Sequence, residues 1–249
     1  VRGDTVVGVR VCFAKRGRVR FISHRDVARA FERAFRIVRL PLAFTEGFAP
    51  RPRMSLGPAL PLGYESDAEY LDVGLTDEVD LERLGDEVSA ALPEGIDLTG
   101  AAFLHPRARS LQEVITAAAY RVEAVPGDGR PAPTPAEVAD WVQVVLEADE
   151  VVGVRRRKGN EVVDDLRPAI RHLAVVSTTP DDRNGKGVEL QLEVSTQPRG
   201  VRPGEILAAL GPGLAEGRVL RTDQWVERDG ARLMPLDADT RLRAEMRAS

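Results

Sequence analysis

Cysteine is almost missing from this sequence: Cys12 is the single one among 249 residues. No internal disulfide can form, and a reducing cytoplasm is the expected setting. An iron–sulfur cluster or a Cys-rich zinc site needs several cysteinyl ligands, so the chain holds neither by itself. Cys12 sits in the apolar run Val11-Cys12-Phe13, the setting of a buried, unreactive thiol. Long apolar stretches are also lacking. Nothing approaches the roughly 18–20 residues of a membrane helix, and Val1-Arg2-Gly3-Asp4 has no apolar core of a secretory signal. No membrane partner is expected. Neither G-x-x-x-x-G-K-[ST] nor G-x-G-x-x-G occurs, so no nucleotide cradle or cofactor is expected. The histidines are only His24, His105 and His172, too far apart in the chain to give metal-ligand spacing.

What is present is unevenly distributed charge. The net charge is −4, yet Val9–Met54 holds 12 Arg/Lys against three acids, Asp26, Glu32 and Glu46. That stretch is therefore +9 and the remainder −13. A polyanion partner is suggested for the N-terminal part alone.

Hydrophobic periodicity orders the elements. Val7–Phe13 reads as a strand, with Arg18–Ile22 as its expected continuation. Ser23 with Asp26 three residues on is a helix-start signature. Val27, Ala30, Phe31, Ala34, Phe35 and Val38 follow at helical spacing, until Pro41 stops the helix. Leu42–Thr45 is a short strand, Glu69–Leu75 alternates as a half-buried strand, Asp80–Leu92 is a helix and Ile96–Leu104 a further strand. Tyr120–Val125 begins a second round. It continues with a helix over 136–148 capped by Thr134, a hairpin about Gly159-Asn160, a strand over Val188–Val194, a short helix at Pro203–Leu210 and a last strand from Arg218 to Val226. The order predicts an α+β protein of two tandem ferredoxin-like βαββαβ units, antiparallel sheets with helices on one face. The expected boundaries are 1–112, 113–228 and a charged, flexible tail over 229–249; Thr178–Gly187 reads as a mobile loop.

The first helix carries the sharpest signal. Arg25, Arg29, Arg33 and Arg36 recur every three or four residues and so share one face. Arg18 and Arg20 precede them; Arg51 and Arg53 follow in the loop. Arginine suits bidentate phosphate contacts and stacking on bases, against the alternative of a merely solvated face. Ser23 and His24 stand at the helix start, where His24 could bond a phosphate or act as a base, while Ser23 with Asp26 reads as a cap. Phe48 lies among Pro50, Arg51, Pro52 and Arg53; it could stack on a base, but burial is expected. A second basic run, Arg155-Arg156-Arg157-Lys158, ends a strand, with Arg156 and Lys158 on one face and Arg167 extending the patch. Cross-strand pairing with Glu161, Asp164 and Asp165 competes with ligand binding there.

The stretches Arg20-Phe21-Ile22-Ser23-His24-Arg25-Asp26 and Ala30-Phe31-Glu32-Arg33-Ala34 resemble the radical-SAM-linked protein family. So do Thr45-Glu46-Gly47-Phe48-Ala49-Pro50-Arg51-Pro52, Gly57-Pro58-Ala59-Leu60-Pro61-Leu62-Gly63 and Glu65-Ser66-Asp67-Ala68-Glu69-Tyr70-Leu71-Asp72. In the second half, Arg157-Lys158-Gly159 and Asp165-Leu166-Arg167-Pro168 match as well. The family pattern usually has Leu at Arg25, Asn at Ala49 and His at Arg51, so that loop's Asn and His are not present here. Such proteins occur alone or fused behind a radical-SAM protein. The resemblance implies an accessory protein working with a separately encoded radical-SAM enzyme.

Joined to the arginine stripe, it gives the leading expectation: a non-catalytic partner that binds RNA, tRNA or rRNA, for modification. Two rivals stand beside it. One is a metal-independent RNA endonuclease built on two ferredoxin-like folds, with His24 as its catalytic candidate. The other is a protein-only adaptor whose arginines meet an acidic partner.

Overall fold

The computed structural model describes residues 6–127, 133–157, 159–177, 187–211 and 213–238, with the side chains of 156, 157 and 177 left aside. In chain order the elements begin β1 (Val7–Lys15), α1 (His24–Ile37), β2 (Met54–Leu56), β3 (Glu65–Leu75), α2 (Leu81–Ala91), β4 (Ile96–Phe103) and α3 (Leu111–Val114). They continue with β5 (Ala117–Pro126), α4 (Pro135–Glu147), β6 (Val152–Arg157), β7 (Asn160–Asp165), β8 (Ile170–Ser177), β9 (Val188–Ser195), α5 (Pro203–Leu210), β10 (Leu214–Arg228) and β11 (Ala231–Leu233). The chain divides into two compact units, Val1–Ile115 with Gln224–Ser249, and Thr116–Asp223. The architecture is mixed α+β with mainly antiparallel sheet.

In the first unit β1 is the middle of an antiparallel set, with β4 on one side and β3 on the other, and β2 pairs beyond β3. Strand alternation sends Val9, Val11 and Phe13 of β1 to one face, where they meet Leu71, Val73 and Leu75 of β3. Helices α1 and α2 cover that face with Val27, Phe31, Ala34, Phe35, Leu84 and Val88. Phe31 locks α1 to β1: its ring meets Phe13 edge-on, centroids 4.8 Å apart, and Phe35 stacks obliquely beyond it at 5.6 Å. Burying one such ring is worth about 1.5–3 kcal/mol.

Expected helices on a single face describe only α1 and α2. The opposite face of this sheet, bearing Arg10, Cys12, Ala68 and Tyr70, has its own apolar cluster. Leu111 and Val114 of α3, with Leu233, Leu236 and Ala238, close over it. The tail expected from Asp229 therefore starts as ordered chain. Asp229 and Gly230 have φ of 52° and 78°, and Arg228 pairs with Ala231, so the two residues make the tight turn that joins β10 to β11. Residues 239–249 lie outside the described residues.

In the second unit β5 pairs with β9, β9 with β8, and β10 lies on the other side of β5. Val188, Leu190, Leu192 and Val194 of β9 turn inward while Glu189, Gln191 and Glu193 turn out. Helix α4 begins at its Thr134 cap with Pro135 in the first turn, as the sequence predicts. Three expectations are corrected. Among the described residues the hairpin β6–β7 pairs only with itself, and the strand beside β9 is β8. Asn160 pairs with Arg157 and belongs to β7. In the first unit, Gly17–Phe21 forms a 3-10 turn, not a strand extension. The expected mobile loop, 178–187, falls outside the described residues except for Gly187.

Candidate nucleic-acid interface

Helix α1 starts where the sequence says. The Ser23 hydroxyl oxygen accepts from the Asp26 backbone N–H at 3.2 Å and donates to the Asp26 carboxylate at 2.6 Å. This is a cap that satisfies an orphan donor of the first turn. The same hydroxyl bond, helped by Arg29, holds the Asp26 carboxyl below the usual carboxylate range. Ser23 and Asp26 thus serve the helix start, in keeping with the cap reading; His24 is the first helical residue and half-buried.

At about 100° per residue, Arg25, Arg29, Arg33 and Arg36 fall within about 80° of arc, opposite the core stripe of Val27, Phe31, Ala34 and Phe35. All four arginines are exposed. Arg29 pairs with Asp26 at 3.2 Å and Arg36 with Glu32 at 3.8 Å. Exposed pairs of this kind are weak and screened by salt. Among the described residues, no carboxylate pairs with Arg25 or Arg33. The four arginines share one face, and two of them, Arg29 and Arg36, are paired with carboxylates.

Below the helix start, the 3-10 turn presents an exposed Arg18 and a half-buried Arg20, whose guanidinium lies 4.7 Å from the Phe21 ring centroid. The Arg20 carbonyl accepts from Gly63 at 2.9 Å, which ties this turn to the Pro-rich 57–63 loop. Phe21 and Leu62 are both exposed.

Arg51 and Arg53 stand in a hairpin-like loop at the end of β3 remote from the 3-10 turn. There Ala43 N–H bonds Gly74, Gly74 N–H bonds Arg53, and Thr45 N–H bonds Arg51, each at 2.8 Å. Arg53 folds back, its Nε donating to the Phe44 carbonyl at 3.1 Å. Phe48 does not enter the core: its relative exposure is 112%.

Not all twelve cations of Val9–Met54 are free to meet a ligand. Arg10 is fully buried against Asp72. Lys15, also buried, donates to the Arg20 and Ile22 carbonyls at 3.3 and 3.2 Å, and Arg16 bonds Asp67 through two nitrogens. The charge count alone overstates the basic surface. Alternation puts Arg10 and Asp72 on the same side of neighbouring strands, where the pairing register sets them opposite each other.

In the second unit the expected competitor is present. Arg155 Nε bonds the Asp164 carboxylate at 2.9 Å, and Arg199 reaches the same oxygen at 3.0 Å and Glu205 at 3.1 Å. Arg155 and Arg199 hold Asp164 below its ordinary carboxylate range. Arg199 has no counterpart in the sequence reading, since nothing local marks it. Arg167 is half-buried, and its guanidinium donates to the Leu146 and Ile170 carbonyls at 3.0 and 3.3 Å. It ties the end of α4 to the start of β8, which makes a packing role the better description of its geometry. The Arg156 side chain and Lys158 lie outside the described residues. His105 accepts from Arg107 N–H at 3.2 Å in an exposed turn, and His172 pairs in register with Glu193. Among the described residues no three His, Cys, Asp or Glu side chains gather as a metal would need, and no described helix is long and apolar enough to cross a membrane.

No curated protein matches the chain in sequence. Solved structures give distant similarity. A chain described as "Crystal Structure of a Cbf5-Nop10-Gar1 Complex" aligns at TM-score 0.46 and 13% identity over 89% of this chain and 50% of that one. "Structure of H/ACA RNP bound to a substrate RNA containing 2'-deoxyuridine" follows at 0.43 and 12%, over 90% and 47%. "Crystal structure of the archaeal box H/ACA sRNP Nop10-Cbf5 complex" gives 0.42 and 13%, over 86% and 46%. The chain spans about half the length of these solved chains, and scores this low carry no function across. The family profile described as "Uncharacterized protein conserved in bacteria (DUF2344)" matches residues 9–203, and the chain belongs to that family.

Proposed function

We propose that this protein is an RNA-binding accessory protein that presents RNA, either tRNA or rRNA, to a separately encoded radical-SAM enzyme. The observation that carries the RNA part is the face of four exposed arginines on α1, two of which, Arg25 and Arg33, have no carboxylate partner among the described residues. Guanidinium groups spaced along a helix suit successive phosphates of one strand, and each neutralised phosphate releases counterions. The radical-SAM part rests on the resemblance of the 20–34 and 45–72 stretches, and on a chain whose one cysteine can supply no cluster.

We read each unit as a ferredoxin-like fold. In the first, the strand succession β4-β1-β3-β2 follows a split βαββαβ order; in the second, β10-β5-β9-β8 does the same once the β6–β7 hairpin is set aside as an insertion. In this reading α1 lies on the sheet through its apolar face and turns its arginine face outward.

The test is a single affinity capture from cells after crosslinking, with bound RNA sequenced and bound proteins identified together. The reading expects a discrete set of RNAs and one radical-SAM enzyme. Recovery of an acidic protein partner without RNA would replace it with the adaptor reading. Cleavage of structured RNA by the purified chain, abolished in His24→Ala, would replace it with the nuclease.

A further inference from the structure

Phe48 is the most exposed large apolar residue among those described, and it sits at the tip of a braced loop. We infer that the 44–53 loop is a stacking arm for an unpaired base, so that the RNA bound is single-stranded or has a base turned out. The inference rests on the RNA-binding reading above and specifies its substrate.

Three observations carry it. The ring is displayed, with relative exposure 112%, and Phe44 at the base of the loop is also exposed. The base of the loop is braced: Thr45 N–H bonds the Arg51 carbonyl at 2.8 Å, and Arg51 N–H bonds the Thr45 hydroxyl at 3.1 Å. Phe44 bridges to Pro52, Arg53 Nε holds the Phe44 carbonyl at 3.1 Å, and prolines at 50 and 52 restrict the returning chain. An arm held this way loses little conformational freedom on binding. Finally, the loop carries two cations, Arg51 and Arg53, against one acid, Glu46. Arg51 is exposed, and no carboxylate pairs with it among the described residues.

An exposed ring and an exposed guanidinium carried on one loop suit a base and its phosphate; duplex RNA keeps its bases stacked, whereas a single strand offers them freely. A purely apolar protein partner would leave Arg51 without a complementary group.

The experiment uses the full chain and fluorescent oligouridylate, alone or annealed to oligoadenylate. Four proteins are compared: wild type, Phe48→Ala, Phe48→Trp and the double variant Arg25→Gln/Arg33→Gln. Expected are tighter binding to the single strand than to the duplex, and a loss of about tenfold on the single strand in Phe48→Ala with the duplex unchanged. Phe48→Trp should restore affinity, and its added fluorescence should be quenched at saturation. If Phe48→Ala binds the single strand like wild type while the arginine variant is weakened, the stacking arm is wrong and RNA binding stands. If Phe48→Ala keeps its RNA affinity but loses a co-purifying protein, the ring serves a protein contact, and the inference is overturned. If wild type binds neither RNA, the parent reading falls and takes this inference with it.

Discussion

Arg10 and Asp72 stand opposite each other on neighbouring strands β1 and β3, joined by two hydrogen bonds of 2.7 and 2.9 Å, with Arg10 wholly buried. The remaining Arg10 donors reach the Pro235 carbonyl at 3.1 Å, Ala238 at 3.4 Å and Arg109 at 3.3 Å. Burial pushes the Asp72 carboxyl up from its ordinary value, and the Arg10 bonds work against that rise. One guanidinium therefore ties the second face of the sheet to the chain that covers it.

Removing only the carboxylate should be severe. Asp72→Ala leaves a buried cation without its partner and is expected to cost about 3–5 kcal/mol. Replacing both, Arg10→Met with Asp72→Leu, should recover much of that loss because no charge is left stranded. Urea unfolding of wild type, single and double variants measures both. A double variant as unstable as Asp72→Ala would show that the pair matters for more than mutual compensation.

Cys12 reports on the covering segment. It lies in the cluster closed by Leu233, Leu236 and Ala238, and burial raises its thiol pKa above the ordinary value. The intact chain should react slowly with a thiol reagent. Truncation after Arg228 should remove the cover and speed the reaction by at least an order of magnitude, since thiolate fraction and access both rise. Equal rates would mean that the 231–238 segment does not protect this face.

The outline of α1 is legible directly in the sequence, because its cap and its apolar stripe are local signals. Ser23, Asp26, Phe31 and Phe35 all perform as their spacing indicates. The 231–238 segment is not legible that way. Its apolar residues follow no clear helix or strand period over so short a run, and their partners, Cys12 and Tyr70, lie more than 150 positions away. The Asp229-Gly230 turn is the one local clue to it. Phe48 misleads for the opposite reason: composition favours burying a phenylalanine, whereas the hairpin geometry leaves its ring wholly exposed.

Acid should loosen the fold, because three depressed carboxyls outnumber the one, Asp72, that burial raises and whose contribution runs the other way. Asp26, Glu137 and Asp164 all have folded pKa values below their ordinary ones, through Ser23, Thr134 and Arg155 respectively. A depressed carboxyl contributes stability above its unfolded value, near pH 4, and that contribution is lost as pH falls through the lower folded value. The urea midpoint should drop from neutral pH to about pH 3. In Ser23→Ala, which also costs about 1 kcal/mol through the missing cap, the drop should be shallower. A drop as steep as that of wild type would remove the Ser23–Asp26 bond from the explanation.

Phe31→Ala separates folding from binding. It removes the ring that joins α1 to Phe13 and should cost about 3–5 kcal/mol, whereas Arg25→Gln and Arg33→Gln, on the exposed side, should leave the unfolding midpoint nearly unchanged. Thermal unfolding of the three chains checks this. A large loss from the arginine changes would show that they support the fold and not a ligand.

The salt dependence of single-stranded RNA affinity puts the basic face of α1 to the most direct test. Plotted as log K against log salt, the wild-type line should fall steeply. Arg25→Gln/Arg33→Gln should make it shallower by about 1.4, roughly 0.7 for each phosphate that the variant leaves unneutralised. Parallel lines for the two proteins, or affinity indifferent to salt, would contradict the account.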